Sequence, residues 1–362
     1  EMTSSLVGSE MCIRDRTICA RLMNDRFALC LPREEFDEKR VADSIKELQR
    51  EFSGNSFHLH TYMGVYEIRD RDEAVSIMVD KANIAADTIK NNYDCCVAYY
   101  DEHLLEISIE QRRLLGEFEP ALQNDEFVMY LQPQVKRDGA AKGAEALVRW
   151  VHPSRGILTP YAFIDILENA GLIYKLDLYI WEKAAQKLAE WKEKGYGSYH
   201  ISVNISTKDF YIIDIYETFT GLINKYGIAA SNLHLEITET TLMTDFEKNM
   251  NIIHKLQGVG FRVEIDDFGS GYSSLNMLKD ISADVLKIDM GFLRKSENEV
   301  KGQDILESII TLAGKIGMDV ITEGVETKKQ LDMLTMMGCH EFQGYYFSKP
   351  VPVSEFEEKY LV

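Results

Sequence analysis

The sequence predicts a (β/α)8 TIM-type barrel, α/β in class, preceded by a smaller, incomplete α+β unit. Two observations carry the barrel. From about residue 111 onward, short β-type runs alternate with amphipathic helical runs, and eight such runs fit into roughly 250 residues. The runs are 127–132, 144–150, 200–205, 233–237, 262–266, 284–288, 319–323 and 341–346. A third observation defines the smaller unit. Residues 17–103 mix strand-like stretches (FALCLP, FHLHTYMGVYEI) with helical ones (EKRVADSIKELQREF, EAVSIMVDKANIAADTIKNN). Between the two, residues 104–124 place apolar residues at helical spacing among charges and read as a connecting helix, so the second domain is expected to span 125–362. Residues 1–16, EMTSSLVGSEMCIRDR, fit no helix or strand period and resemble the translation of a sequencing adapter; they are read as non-native.

Composition narrows the function classes. A chain of 362 residues with 45% hydrophobic content can bury two cores. A formal charge of -19 argues against a nucleic acid polymer or an anionic membrane surface as partner, because the average field repels polyanions, while a small anion recruited by local cations stays open. The cysteines Cys12, Cys19, Cys30, Cys95, Cys96 and Cys339 show no CxxC spacing, which suggests neither a zinc site nor a disulfide framework and fits a reducing cytoplasm. No window of about 18 apolar residues occurs, so no membrane contact is expected from this segment.

Barrel enzymes collect their chemistry at the carboxyl ends of the strands. Every run from the second to the eighth carries a polar or charged residue there: Glu145 and Arg149, Asn204, Glu236 followed by Glu239, Asp266 with Asp267, Lys287, Glu323 and Gln343. Any one of these alone reads as a solvated or ion-paired strand residue. Strands buried on both faces make seven in succession costly unless something compensates them, and a shared cation does so most simply. Glu145, Asn204, Glu236 and Asp266 offer oxygen and no thiolate or imidazole, which favours magnesium or manganese over zinc. Asp267 is placed to reach a second ion, and two metals a few ångströms apart activate a water and clamp a phosphoryl displacement. Beside cations the ammonium form of Lys287 would be disfavoured, suiting it to position or deprotonate that water.

In order, GAEALVRW, SVNIS, EITET, IDDFGSGYSSL, LKID, TEGVET and FQGYYFSKP closely resemble the EAL family of cyclic di-GMP phosphodiesterases, over about residues 111–362 and including YLQPQV, WVHPSRG and FIDILENAGLI. The resemblance implies a (β/α)8-type barrel with an irregular first strand and hydrolysis of cyclic di-GMP to linear pGpG with two divalent cations, Mg2+ or Mn2+. Carried over residue by residue, it implies Glu145, Asn204, Glu236 and Asp266 as ligands of the first metal and Asp267 for the second. Lys287 then stands near the attacking water, and Glu323 acts on a metal or its water. Gln343 fills the remaining polar position, and Glu239 holds the loop after the fifth strand, where Ser270 keeps the hydroxyl of a common threonine. Arg149 and Gln132 are expected to touch ligand phosphate or guanine. The resemblance also implies a homodimer. No ligand loss of the kind that marks inactive receptors is present, which places catalysis ahead of a non-catalytic cyclic di-GMP receptor or a scaffold.

Residues 17–103 resemble the latter part of a GGDEF domain, a diguanylate cyclase fold. Met23, Asn24, Asp25, Arg26 and Phe27 stand where Gly, Gly, an acid, Glu and Phe are expected, and Thr17 occupies the aspartate position of the inhibitory Arg-x-x-Asp motif. Side chains at 23 and 24 crowd the approach to a triphosphate and Arg26 reverses a charge, so this unit is expected to be catalytically inactive and regulatory. Its early strand and helices are missing, which implies a fragment of a longer protein whose lost part sets any tether. His58 and His60 share a strand face without further ligands, His152 reads as structural, and the tyrosine pairs 99–100 and 345–346 read as packing residues.

Overall fold

A computed structural model describes residues 17–22, 25–52, 61–90, 95–268, 281–289, 291 and 299–361. The chain divides into two compact units, Glu1–Arg113 and Leu114–Val362.

In the first unit, Ile18–Arg21 and Phe27–Cys30 form an antiparallel hairpin, and Met63–Val65 pairs in parallel with Val97–Tyr99. Helices Glu38–Phe52 and Val75–Asp87 accompany them. Its small core is Ile45, Cys96 and Val97, joined by Phe36, Val41 and Met63. Asp25 and Arg26 lie in the hairpin turn, where the Leu22 amide donates to the Arg26 carbonyl at 2.9 Å. Met23, Asn24, His58 and His60 lie outside the described residues.

The second unit is the predicted barrel. Its strands are β1 Phe127–Lys136, β2 Ala141–His152, β3 His200–Ile205, β4 Leu233–Thr238, β5 Arg262–Phe268, β6 Val285–Asp289, β7 Asp319–Glu323 and β8 Glu341–Phe342. Neighbours from β2 to β8 pair in parallel, whereas β1 runs antiparallel to both β2 and β8 and closes the ring. A tight turn at Asp138–Gly139 joins β1 to β2, and two strands connected this briefly can only be antiparallel. The last run is shorter than the expected 341–346. After Phe342 the backbone leaves the ladder and closes on Val325, whose amide donates to the Gln343 carbonyl; a Cβ at Gly344 would come within 2.2 Å of the Val325 oxygen.

Helices cover the barrel by burying one face each. Ile173–Glu193 buries Leu176, Ile180, Trp181, Ala184, Leu188 and Trp191 at helical spacing against the sheet. Trp181 packs on Phe219 of helix Ile215–Tyr226 at 4.5 Å, and Trp191 stacks on Phe356 of the last helix, Val353–Tyr360. All three tryptophans are fully buried. Helix Ile215–Tyr226 starts at Asp214, which accepts from the Glu217 amide at 3.0 Å, and stops at Gly227 with φ 63°. Among the described residues no helix is long and apolar enough to cross a membrane.

Helix Lys328–Met336 is set by a reciprocal cap. Thr327 Oγ1 accepts from the Gln330 amide at 3.3 Å while Gln330 Oε1 accepts from the Thr327 amide at 2.8 Å. Thr327→Ala is expected to lower stability by about 1 kcal/mol, read as a shift in urea midpoint without a change in slope.

Candidate active site

Strand alternation builds the site. Glu145 on β2, Asn204 on β3, Glu236 on β4, Asp266 on β5, Lys287 on β6 and Glu323 on β7 all project toward one point at the carboxyl mouth of the barrel. Lys287 Nζ is the centre, 2.6 Å from Glu236 Oε1, 2.7 Å from Glu323 Oε1, 3.3 Å from Asp266 Oδ1 and 3.5 Å from Glu145 Oε2. Glu145 is held from two further sides: Gln343 Nε2 donates to its Oε2 at 2.5 Å and Asn204 Nδ2 to its Oε1 at 3.1 Å. Gln343 Nε2 also reaches Gln132 Oε1 at 3.3 Å, so Gln132 joins the cluster from β1.

Three sequence-predicted residues stand at the margin. Arg149 stacks over the Tyr130 ring at 5.4 Å and donates to the Val148 carbonyl at 2.7 Å. Glu239, nearly buried, opens helix Glu239–Thr244 directly after β4. Asp267 is exposed at φ 54°, next to a register break between Ile265 and Phe268 against β6. Such a bulge lets adjacent aspartates face the same way: consecutive strand residues face opposite sides unless an extra residue re-aims one of them. Ser270 and the rest of its loop lie outside the described residues. Tyr345 and Tyr346, expected to pack, are exposed at 59% and 41%. His152 is buried and bonded to Glu117 Oε2 at 2.9 Å.

The charges do not balance within the chain. Four carboxylates face one ammonium: Glu236 Oε1, Asp266 Oδ1 and Glu323 Oε1 share Lys287 Nζ, and the buried Glu236 Oε2 has no hydrogen-bond partner. Burial, then the charge of Glu145, pushes Glu236 well above the usual carboxylate range. Burial raises Glu323 to about 8 despite the Lys287 charge beside it. Burial works against the Lys287 ammonium, but Asp266, Glu145, Glu236 and Glu323 outweigh it and hold its pKa well above normal. Asp267, exposed yet partly screened from water by its neighbours, is raised by that loss of solvation and then by the charges of Asp266 and Asp289. An all-oxygen set with more carboxylates than cations and an unpartnered Glu236 Oε2 fits hard divalent cations, with Glu145, Asn204, Glu236 and Asp266 as the holding residues.

The shift at Glu323 has a measurable sign. In the cation-free folded chain this group keeps its proton up to about 8, whereas unfolded it releases it near 4.5. Stability from this group is therefore complete below about 4.5 and is lost as pH rises toward about 8. Urea midpoints of chelator-treated protein should fall across that window, and Glu323→Gln should flatten the fall. A midpoint that rises there would contradict the assignment.

Sequence reasoning passed over Asp289, two residues beyond Lys287 on β6, whose Oδ1 accepts from the Gly291 amide at 2.7 Å and whose charge reaches Asp267. The step of two from Lys287 was the available signal.

A family model, the EAL domain, matches residues 116–350. The chain belongs to the EAL domain family. Along 353 residues it is 30% identical to the bifunctional diguanylate cyclase/cyclic di-GMP phosphodiesterase MucR of Pseudomonas aeruginosa, covering 95% of this chain and 51% of that protein. To the cyclic di-GMP phosphodiesterase PdeR of Escherichia coli it is 33% identical over 240 residues, covering 66% of this chain and 36% of the relative. The chain spans about half the length of the first of these curated relatives. A solved structure of the PaMucR phosphodiesterase in complex with c-di-GMP matches this EAL domain with a TM-score of 0.64 at 33% identity, covering 67% of this chain and 99% of that one.

Proposed function

We propose that this EAL domain hydrolyses one phosphodiester bond of cyclic di-GMP to give linear pGpG, assisted by two divalent cations, Mg2+ or Mn2+. The supporting observation is the convergence of Glu145, Asn204, Glu236 and Asp266 at one mouth, with more carboxylates than the buried Lys287 can pair with. When bound, such ions supply electrophilic activation of the phosphate and lower the pKa of a water. The chain's own groups do the rest. Lys287 Nζ orients the attacking water, and Glu323, 2.7 Å from that ammonium, takes its proton. The water oxygen bonds to phosphorus, the bond from phosphorus to the 3′ oxygen breaks, and that oxygen leaves as a hydroxyl by taking a proton from solvent, while the proton held by Glu323 returns to solvent. Asp267 serves the second ion, and Glu239 fixes the loop after β5. Arg149, Gln132 and Gln343 bind phosphate or guanine.

The reading gains from relatives whose names state the same activity, MucR and PdeR among them. The domain acts as a homodimer, and the hairpin unit, with Arg26 in place of an acid, regulates it without cyclase activity. Purified chain incubated with cyclic di-GMP and Mn2+ or Mg2+, followed by chromatography, should yield pGpG. Binding with no pGpG under either ion would replace the enzyme with a receptor, and absence of binding would leave a scaffold.

A further inference from the structure

The inward face that carries the candidate active site continues to the other end of the barrel. Counting back by twos from Asn204, Glu236 and Asp266 gives Ser202 and His200 on β3, His234 on β4 and Glu264 on β5. These side chains meet at the amino-terminal mouth, beside a cavity of about 500 Å3 lined among others by His200, His234, Arg262 and Glu264. His200, His234 and Glu264 are each under a tenth exposed, and one donor atom from each lies within 4.8 Å of the others.

The hydrogen bonds around them have the form of a metal site's outer shell. His200 Nε2 lies 2.7 Å from Gln134 Oε1, and His234 Nε2 lies 3.2 Å from the Ser231 carbonyl. The Gln134 oxygen makes His200 Nε2 a donor and leaves its Nδ1 lone pair free, as in histidines that bind metals. His234 Nδ1 then sits 2.6 Å from Glu264 Oε1. At that distance Nδ1 carries its hydrogen toward the carboxylate in the isolated chain, and a metal ion would take that hydrogen's place. Glu264 Oε1 also accepts from the Ser202 hydroxyl at 3.2 Å, while the fully buried Oε2 has no hydrogen-bond partner. Gly143 makes room for the arrangement, since a Cβ there would come within 2.4 Å of the His200 ring, whose other face stacks on His234 at 3.8 Å. The cations at the rim are already engaged, Arg262 with Asp319 at 2.5 Å and Lys142 with Glu341.

We propose that His200, His234 and Glu264 bind a transition-metal ion, Zn2+ being the best match, at the barrel mouth opposite the phosphodiesterase site. Two imidazoles and a carboxylate with a fourth position open to a cavity form a known zinc donor set, and imidazole nitrogen selects against magnesium, which the all-oxygen mouth prefers. Nitrogen donors at 2.0–2.1 Å in a tetrahedral site lie about 3.3 Å apart, so binding parts His234 Nδ1 and Glu264 Oε1 from their 2.6 Å contact and turns the stacked imidazoles until their lone pairs converge on one point. One chain thus sorts soft and hard cations to opposite ends of a single barrel.

The test uses the full chain, stripped with chelator and titrated with Zn2+ in excess Mg2+. One Zn2+ per chain is expected, retained in Glu145→Ala and weakened at least tenfold in His234→Gln and in Glu264→Gln. Zn2+ binding that is absent, or unchanged in both bottom-mouth variants, overturns the proposal. Should those variants fail to fold, Co2+ added to the unsubstituted chain provides the second reading. The ring resonances of the two stacked buried histidines should broaden at one equivalent, and their persistence while other histidines broaden would also overturn it. The Glu145→Ala arm separates this site's failure from failure of the phosphodiesterase reading, which concerns the other mouth.

Discussion

Glu236→Gln is expected to lower turnover of cyclic di-GMP by about 10^3-fold while leaving the cation-free chain at least as stable as the parent. The two halves of this result have one cause. Glu236 is fully buried between Glu145 and Lys287, and its charge is disfavoured there, as its strongly raised pKa records. Replacing the carboxylate with an isosteric amide removes a group whose charged form is disfavoured there, so little is lost when no cation is bound. The same change removes a ligand from the proposed first metal. Lewis-acid stabilisation of a phosphoryl transition state amounts to several kcal/mol, and about 4 kcal/mol corresponds to about 10^3 in rate. Chelated and Mn2+-loaded melting curves should diverge in opposite senses: the variant melts at or above the parent without ion and gains less when Mn2+ is added. A variant that loses stability in chelator would mean that Glu236 serves mainly as the counter-ion of Lys287.

The architecture was legible because strand patterning in a parallel barrel is local. The expected runs at 200–205 and 319–323 coincide with β3 and β7 to the residue, and Glu145, Asn204, Glu236, Asp266 and Lys287 converge as polar breaks in apolar strands should. What escaped depends on partners distant in sequence. The bulge that turns Asp267 is a mismatch between β5 and β6, and the truncation of β8 follows from the close approach of Gly344 to Val325. The lower half of the polar face escaped for a different reason. His200, His234 and Glu264 obey the same alternation as the residues above them, but attention to carboxyl ends alone stopped short of following each strand back to its start.

Lys287→Met should destabilise the cation-free chain by about 3–5 kcal/mol, the usual cost of removing one partner from a buried ion pair. Lys287 is wholly buried, and Glu236, Glu323, Asp266 and Glu145 all lie within 3.5 Å of its ammonium. Methionine fills the volume and keeps the apolar stem, so the loss isolates charge rather than packing. Without the ammonium the carboxylates can remain buried only by taking up protons, so the deficit should grow as pH rises and shrink in acid. Mn2+ supplies positive charge to the same oxygens. Adding it should restore most of the lost stability while turnover stays low, because a cation can replace the charge of Lys287 but not its orientation of the attacking water. Urea titrations with and without Mn2+ separate the two roles. A loss below about 1 kcal/mol in chelator would show that Lys287 balances far less charge than its geometry indicates.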